Sequence, residues 1–286
     1  ALEFIAGITR KGSSILVAKG SHKALHCALI EQAASRDVVI STPGQGTDSE
    51  IKISKGFGAQ AIISDYLEAS GLADAPKNLE AKFVSKYSYL DGDSYKAAGR
   101  ILRKAPNMYL LENYILHDDS IPLLHYREMF DGAVGCDSTM LYGLFAADPT
   151  RNDVLRQKAT YPQEAFYEKL GMSIKHHCSY SDFCKGLLRV DVTEAGGHIY
   201  HDFYSISTKL RTMSEIVDQI GRIKKTIYYD YRPVGKYMML SKATEKEPGL
   251  TIEIEFTDYD LDTSRKKAEF QALQPSGKES KGKDAK

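Results

Sequence analysis

The sequence of 286 residues lacks the features that define several large protein classes. No apolar run reaches the ~18 residues that a membrane-spanning helix needs. The first residues show no basic leader followed by an apolar run and a small-residue cleavage site, so no signal peptide is expected. Four cysteines at irregular spacing do not indicate a disulfide framework. Together these absences predict a cytoplasmic protein with no membrane partner.

Catalytic motifs of high specificity are absent as well. The sequence contains no Walker-type phosphate loop, no nucleophile elbow and no dinucleotide fingerprint. The segment Gly56-Phe57-Gly58 lacks the third glycine of such a fingerprint and suits the start of a helix. No catalytic residue and no cofactor is therefore assigned, and a non-enzymatic role is favoured.

The sequence has no net charge, since Lys+Arg and Asp+Glu both number 38, but the charges are segregated along the chain. Residues 222–242 hold six cations against one acid, with four tyrosines interleaved. Residues 244–262 hold seven acids against one lysine. Two further basic segments are 10–23, with four cations and no acid, and 82–104, with six cations against two acids. The neutral total therefore conceals three basic tracts and one acidic tract.

The basic tracts have two interpretations. Cationic side chains neutralise phosphates and tyrosine rings stack on unpaired bases, so the tyrosine-rich tract 222–242 suits contact with nucleic acid. The same alternation also fits a sheet strand whose tyrosines are half in the core and whose lysines are solvated. The acidic tract is an exposed strand face or a surface that meets a basic neighbour, such as another copy of the protein.

The hydrophobic pattern predicts strands and helices in alternation at both ends of the chain. Short apolar runs bounded by turn residues predict the strands, and apolar stripes with helical spacing predict the helices. The predicted strands are 2–9, 14–19, 37–42, 51–54, 187–192, 198–205, 226–231, 236–241 and 251–257, and the predicted helices are 22–36, 58–71 and 208–225. Between the two ends, 82–90 alternates like a strand, 94–104 and 162–170 suit helices, and 108–116 suits either.

This order predicts an α+β fold: a ferredoxin-like or RRM-like antiparallel sheet with helices on one face and a large irregular insertion. The predicted core consists of residues 1–72 and 186–262. Residues 73–185 are the predicted insertion or subdomain, and residues 263–286 are a predicted polar tail.

Two groups of side chains have the chemistry of metal ligands. His176, His177, Cys178 and Cys184 are zinc ligands by type, but their spacing does not match the common structural sites, so no metal is assigned and zinc remains an open alternative. The pairs Asp91 with Asp93 and Asp118 with Asp119 suit magnesium. Both pairs also lie in turn-like sequence, where aspartate is expected for backbone reasons.

Three segments carry a resemblance to a known family: LEFIAGITRKGSSILVAKGS at 2–21, ISKGFGAQAIISDYLEAS at 53–70, and LRVDVTEAGGHIYHDFYSISTKLRTMSEIVDQIG at 188–221. Each combines strands or a helix with a glycine-containing turn. Together they cover less than half of the chain. The pattern resembles the RAMP-type CRISPR-associated proteins, in particular the repeating backbone subunit of crRNA-guided effector complexes.

The resemblance implies a filament of protein copies along a guide RNA. Lys19, Gly20, Ser21 and His22 would lie in a loop near the guide backbone, and Lys55 to Gly58 at a helix entry near it. Family members that cleave target RNA have an aspartate in the loop after the first strands. Here that loop is AKGSHK, which has no acid, so the resemblance implies binding without cleavage.

The leading hypothesis is thus a non-catalytic, guide-RNA-binding subunit of a ribonucleoprotein complex. Its partners would be RNA such as crRNA, copies of itself and other complex subunits. The candidate RNA-binding residues are Arg10, Lys11, Lys19, Ser21, His22, Lys23, Lys55, Gly56, Lys225, Tyr228, Arg232, Lys236 and Tyr237. One alternative is a metal-dependent enzyme acting on nucleotides or nucleic acid through Asp118 and Asp119, with His117 or His125. Another is a viral or phage structural protein that binds its own genome.

Overall fold

A computed structural model gives the architecture of the chain. It describes residues 58–116, 122–177, 185–194, 197–217, 221–261 and 267–270, together with Asp182 and the backbone of strands at 3–8, 14–19, 38–40 and 51–53. By the contacts between residues, the chain divides into two compact units. The first unit comprises Ala1–Ala75 and Glu164–Glu253, and the second comprises Pro76–Gln163 and Ile254–Lys286.

Most of the described residues lie in β-strands. The strands are β1 Glu3–Ile8, β2 Ser14–Lys19, β3 Val38–Ile40, β4 Ile51–Ile53, β5 Asn78–Tyr89, β6 Ser94–Lys104, β7 Met108–Leu116, β8 Leu123–Phe130, β9 Gly135–Thr139, β10 Gly143–Ala146, β11 Ser173–His177, β12 Leu187–Thr193, β13 Ile199–Ser205, β14 Arg211–Val217, β15 Ile223–Val234, β16 Tyr237–Glu247 and β17 Leu250–Asp260. The α-helices of the described residues are α1 Ala59–Ala69 and α2 Pro149–Ala159, and the short 3-10 helices are Leu72–Asp74, Gln163–Phe166 and Lys267–Phe270.

In the first unit, consecutive strands lie side by side. The order is β17-β16-β15-β14-β13-β12-β11, and the pairs from β11–β12 to β15–β16 are antiparallel. Two separate antiparallel pairs, β1–β2 and β3–β4, complete the described strands of this unit. Such a meander needs only short connections, which suits the turns between these strands.

The second unit has the strand order β10-β9-β8-β7-β6-β5-β17, and the pairs from β5–β6 to β9–β10 are antiparallel. In β5, Phe83, Ser85 and Tyr87 are buried, whereas Val84 and Lys86 are exposed. This alternation assigns one face of the sheet to the interior, because successive side chains of a strand point to opposite faces.

Helix α1 packs on β11 and β12 in the first unit. Its buried face contains Ala59, Ile62, Ile63 and Tyr66, at helical spacing. At its C-terminus the Ser70 hydroxyl donates to the Tyr66 carbonyl over 2.7 Å. Gly71 follows with φ +75°, a left-handed conformation that ends a helix and that glycine adopts without strain.

Helix α2 packs on β7, β8 and β9 in the second unit. Asp148 is its N-cap and accepts a hydrogen bond from the Arg151 backbone N–H over 2.8 Å, and Pro149 occupies the first turn. Leu155 and Ala159 are buried against Tyr109 and Phe130 of the sheet. No helix in the described ranges is long and apolar enough to span a membrane.

The predicted α+β, ferredoxin-like or RRM-like fold is wrong. Both units are built from antiparallel strands in a meander, and the only α-helices among the described residues are α1 and α2. The predicted helix at 94–104 is strand β6, which pairs with β5 and β7. The predicted helix at 208–225 is strand β14 and the start of β15. In both segments, pairing with the preceding and the following strand overrides the local helical spacing.

Other local predictions agree with the structure. The predicted strands at both ends of the chain correspond to β1 to β4, β12, β13 and β15 to β17, and the helix ended by Gly71 is α1. Residues 108–116 form strand β7, and 162–170 contain only a 3-10 turn. The predicted helix at 22–36 lies outside the described residues. The division into a core at 1–72 and 186–262, an insertion at 73–185 and a tail at 263–286 stays a prediction.

Candidate functional site

Three hairpin connections of the second unit lie at the same end of its sheet. They join β5 to β6, β7 to β8 and β9 to β10, and each of these pairs is antiparallel. Because neighbouring strands alternate in direction, the connection after every second strand falls at the same end. We call residues 89–93, 116, 122–123 and 140–142 the hairpin tips.

Each hairpin tip exposes large apolar side chains to solvent. The exposed fraction is 89% for Leu90, 79% for Leu141 and 80% for Tyr142. Other exposed apolar residues of the tips are Tyr89, Leu116, Leu123 and Met140. An apolar side chain that stays exposed to water on a turn contributes no burial free energy to folding. Clusters of exposed apolar side chains mark surfaces that contact apolar partners. The hairpin tips are therefore the candidate contact surface of this unit.

Aromatic side chains follow the hairpin tips along the strands. The Tyr87 and Tyr95 rings stack with centroids 4.5 Å apart and planes at 8°. The His125 ring lies edge-on to both, at 5.8 Å from Tyr87 and 5.7 Å from Tyr95. Tyrosine and histidine have an apolar body and a polar end, so they suit the boundary between an apolar and a wet environment.

An irregularity in the β7–β8 pairing positions His125 in this aromatic group. Tyr126 pairs with Asn113, but Leu124 pairs with Tyr114, so His125 is an additional residue on β8. Such a bulge re-aims a side chain and often lies beside a functional site. Burial lowers the pKa of the His125 imidazole, which favours its neutral form.

A second polar cluster, in the first unit, was not foreseen from the sequence. The Arg211 guanidinium lies 2.9 Å from Glu164 Oε1 and 3.8 Å from Asp202 Oδ2, and both carboxylates are buried. The Tyr167 hydroxyl donates to Asp202 Oδ2 over 3.2 Å, and Arg211 also lies over the Tyr228 ring. Burial alone would lower the pKa of Arg211, but Tyr228, Glu164 and Asp202 raise it, so the side chain stays charged.

A third polar cluster joins α2 to the sheet of the second unit. Glu128 Oε1 lies 2.7 Å from the Arg151 guanidinium, and Glu128 Oε2 lies 2.8 Å from Lys158 Nζ. Burial alone would raise the pKa of Glu128, but Lys158 and Arg151 more than offset it and lower that pKa. Each charge of this cluster has a partner within the protein, so it serves to fix α2 rather than to bind a ligand.

Most of the predicted RNA-binding residues of the first half of the chain lie outside the described residues. These are Arg10, Lys11, Ser21, His22, Lys23, Lys55 and Gly56. Lys19 is the last residue of β2, of which only the backbone is described.

The predicted RNA-binding residues of the second half do not form one surface. Lys225 pairs with Glu215 over 2.9 Å, whereas Tyr228 turns to the opposite face of β15, where its hydroxyl donates to Ser214. Arg232 is half-buried in β15. At the next hairpin, exposed Lys236 pairs with Asp74, and the buried Tyr237 donates its hydroxyl to the Asp74 carbonyl over 3.0 Å.

Residues of the basic tracts form ion pairs with residues of the acidic tract across neighbouring strands. Lys224 of β15 lies 3.0 Å from Glu245 and 2.7 Å from Glu247 of β16. In the second unit, Lys82 of β5 lies 3.3 Å from Asp258 of β17. These ion pairs join side chains of adjacent strands, and the solvated-strand interpretation accounts for these residues.

No group of three potential metal ligands occurs in the described ranges. Asp91 Oδ1 accepts a hydrogen bond from the Asp93 backbone N–H over 3.1 Å, which is the turn role that aspartate commonly has. His176 and His177 belong to β11, whereas Cys178, Cys184, His117, Asp118 and Asp119 lie outside the described residues. His125 lies among tyrosines rather than carboxylates.

No protein-family model matches the chain, and no curated protein matches its sequence. Solved structures do match its fold. A DUF1329 family protein from Desulfovibrio piger is 10% identical with a TM-score of 0.53, covering 74% of this chain and 97% of that one. A LolA superfamily protein from Nitrosomonas europaea is also 10% identical with a TM-score of 0.53, covering 76% of this chain and 99% of that one.

A third solved structure, from Vibrio parahaemolyticus, is described as a candidate outer membrane lipoprotein-sorting protein domain. It is 11% identical with a TM-score of 0.50, covering 73% of this chain and 97% of that chain. At these identities the likeness concerns the fold alone. The chain has a LolA-like fold built on a large antiparallel sheet.

These matches correct the functional predictions from the sequence. The resemblance to RAMP-type CRISPR-associated proteins is wrong, because the fold is LolA-like and not RRM-like. The predicted guide-RNA-binding function and its partners (RNA, copies of itself and other complex subunits) are contradicted as well, because the solved structures that share the fold include a domain described as sorting lipoproteins. The cytoplasmic localisation is also contradicted, since a protein of this fold is described as an outer membrane lipoprotein-sorting domain. The expectation of a non-enzymatic protein agrees in part with this fold, which a domain described as sorting lipoproteins shares.

Proposed function

We propose that this protein binds a lipid, or the lipid part of a lipoprotein, and acts as a carrier rather than an enzyme. The observation that carries the proposal is the fold shared with a LolA superfamily protein and with a domain described as sorting lipoproteins. The hairpin tips provide an apolar contact surface, and the stacked tyrosines behind them suit the boundary between acyl chains and water.

Binding of an acyl chain at the hairpin tips would require no catalytic group. A flexible apolar chain binds to the tips because apolar surface is removed from water. This burial contributes about 25 cal/mol of binding free energy per Å² of apolar area. The carrier function thus needs neither a nucleophile nor a metal.

Titration with a fluorescent acyl-chain probe tests the proposal. The wild-type protein is expected to bind the probe, and the double variant Leu90→Ser with Leu141→Ser is expected to bind it at least about tenfold more weakly, since each exchange removes more than 1 kcal/mol of apolar contact. The matched control is Ile223→Ser with Tyr229→Ser, which changes two exposed apolar residues of the first unit. The control is expected to keep wild-type affinity.

A wild-type protein that does not bind the probe would contradict the proposed function. Equal affinity losses in the two double variants would contradict the hairpin tips as its location. Circular dichroism of both variants establishes that the altered residues, which are exposed, leave the fold intact.

A further inference from the structure

Strand β10 is the outermost strand of the second unit, with β9 on one side and no described strand on the other. In an antiparallel pair, every second residue bonds to the neighbouring strand and the residues between point their N–H and C=O groups away from it. The Ala147 N–H donates to the Gly135 carbonyl over 3.0 Å, so Phe145, two residues earlier, also bonds to β9. Leu144 and Ala146 therefore direct their backbone groups away from β9. We call this side of β10 the outer edge.

The sheet holds β10 in its extended conformation from both faces. Leu144 packs on the buried cluster that contains Met129, and Ala147, directly after β10, packs on the cluster that contains Phe130. Met129 and Phe130 are consecutive residues of β8, so their side chains point to opposite faces of the sheet. A strand that is already fixed loses little conformational freedom when another strand is added to it.

The outer edge lacks the features that keep exposed edge strands from pairing. Natural proteins usually protect such edges with charged side chains, proline or a bulge. Residues 138–147 contain no charged residue and no proline, and Phe145 of β10 is 43% exposed. By contrast, β11, an outermost strand of the first unit, carries Lys175, His176 and His177. The sequence of β10 therefore suits an edge that meets another strand.

The chemistry of the outer edge selects the kind of partner. A row of backbone N–H and C=O groups at strand spacing is matched by an extended polypeptide, which offers the complementary groups at the same spacing. An acyl chain has no such groups. Asp137, which lies opposite Phe145 on β9, is already paired with Arg151 over 2.7 Å. A charged partner would thus lose water without gaining a counter-charge from residues 138–147, so an uncharged segment is favoured.

The hairpin tip 140–142 leads directly into β10, which begins at Gly143. The exposed Tyr142 of this tip is only two residues from Leu144, the first residue that directs its backbone groups outward. One molecule can therefore reach both surfaces if it combines an acyl chain with a polypeptide. A lipoprotein has this composition, whereas a free lipid does not.

We propose that the outer edge of β10 binds an extended, uncharged segment of a lipoprotein by strand addition, while the acyl chain of the same lipoprotein contacts the hairpin tips. This proposal rests on the proposed function, since it chooses the lipoprotein over the free lipid. The hairpin tips hold the acyl chain, and the outer edge holds the polypeptide that is attached to it.

Displacement of the bound fluorescent acyl-chain probe tests this strand addition. The first competitor is a dodecanoyl octapeptide of alternating valine and serine with an amidated C-terminus. The second is dodecanoyl octaproline, also amidated, which is uncharged and extended but has no peptide N–H. Wild-type protein is expected to bind the valine–serine peptide about tenfold more tightly than the octaproline, because only the former can form a ladder with β10.

Ala146→Pro removes an N–H of the outer edge and leaves the hydrogen bonds to β9 in place. Proline is tolerated on edge strands at positions whose N–H faces outward. This variant is expected to reduce the tenfold difference between the peptides to less than about twofold. The conservative variant Ala146→Val keeps the N–H and is expected to retain the difference. Thermal unfolding checks that both variants fold.

Phe145→Lys is the second variant, and it keeps every backbone N–H of β10. It places a cation beside the added strand, so it is expected to favour a dodecanoyl octapeptide of alternating valine and glutamate over the valine–serine peptide. Wild-type protein is expected to show the opposite order. The same order in both proteins would overturn the placement of the polypeptide along β10, whether or not Ala146→Pro folds.

The remaining outcomes separate the two proposals. If the probe binds but the valine–serine peptide and the octaproline displace it equally in wild-type protein, strand addition is overturned and the carrier function stands. Strand addition is also overturned if Ala146→Val loses the difference as Ala146→Pro does. If light scattering gives the mass of two chains for wild-type protein and of one chain for Ala146→Pro, a second copy occupies the edge instead. If the probe itself does not bind, the carrier function fails and this proposal fails with it.

Discussion

At the scale of single residues, the buried charge of the first unit is gathered around Arg211. Asp202 and Glu164 are 2% and 7% exposed, so neither can rely on water for solvation. Arg211 neutralises both, and the hydroxyls of Tyr167 and Ser214 donate to Asp202. A buried carboxylate that loses its cation costs far more than a surface ion pair contributes.

Arg211→Met is therefore expected to lower the free energy of unfolding by about 3–5 kcal/mol, since two buried carboxylates lose their counter-charge. Urea denaturation measures this change. The control is Arg156→Met, which removes an exposed ion pair with Asp153 and is expected to cost less than about 1 kcal/mol. Similar losses in the two variants would contradict the structural role of the cluster.

His125 is expected to make stability depend on pH. Burial lowers its pKa in the folded state, whereas the unfolded chain has the ordinary value of about 6.5. As the pH falls through about 6.5, the unfolded state takes up the proton first, so the free energy of unfolding decreases. Thermal unfolding between about pH 8 and pH 5 measures this loss, which His125→Phe is expected to reduce.

The control for this pH dependence is His198→Phe, because His198 is exposed. This variant is expected to lose stability toward acid as the wild type does. If His125→Phe loses as much stability between about pH 8 and pH 5 as the wild type does, burial of His125 does not disfavour its charged form.

At the scale of elements, turns and strand ends were predictable and pairing partners were not. Gly71 stops α1 where the sequence places a helix end, and the strict alternation of 251–257 becomes β17. Strand β6 was predicted as a helix, because its local apolar spacing is helical. It forms a strand because it pairs with β5 and β7 on either side. Gly99 in that strand is packed against Phe83 of β5, and such a contact has no local signal in the sequence.

Gly71 also connects α1 to the β15–β16 hairpin. A Cβ atom at this position would lie 2.6 Å from the Lys236 carbonyl oxygen, and φ is +75°. Gly92 has φ +96° but nothing within 4 Å of the same position. Left-handed backbone strain alone is expected to cost a non-glycine residue roughly 1–2 kcal/mol of unfolding free energy. Gly92→Ala is expected to lose only this amount, whereas Gly71→Ala is expected to lose more because its Cβ atom also meets the Lys236 carbonyl.

The melting temperatures of Gly71→Ala and Gly92→Ala measure this difference. The larger decrease is expected for Gly71→Ala. Equal decreases would mean that α1 can move away from the hairpin without loss, and would contradict the close packing at Lys236.

The apolar residues of the candidate site have a signal in the sequence. Leu90 and the run Met140-Leu141-Tyr142 stand in or beside turn residues, where apolar side chains have no folding role. The aromatic group behind the hairpin tips had no such signal, because Tyr87, Tyr95 and His125 come from three strands. Only the pairing of β5 to β8 brings these rings together.

At the scale of the whole molecule, neutral charge has a structural rather than a functional explanation. Segregated basic and acidic tracts suggested separate binding surfaces, but β15 and β16 place them side by side, where Lys224 meets Glu245 and Glu247. A meander makes sequence neighbours into spatial neighbours, so oppositely charged consecutive strands stabilise each other. This charge pairing does not account for the exposed apolar side chains of the hairpin tips.

The central claim, that the second unit holds an acyl chain at its hairpin tips, is tested most directly by photo-cross-linking. A diazirine-bearing acyl chain is bound to the protein, irradiated, and the labelled peptides are identified by mass spectrometry. Labels are expected on residues 89–93, 116, 122–123 and 140–142 and in the strands that follow them. Labels confined to the first unit, or none above a competitor-blocked control, would contradict it.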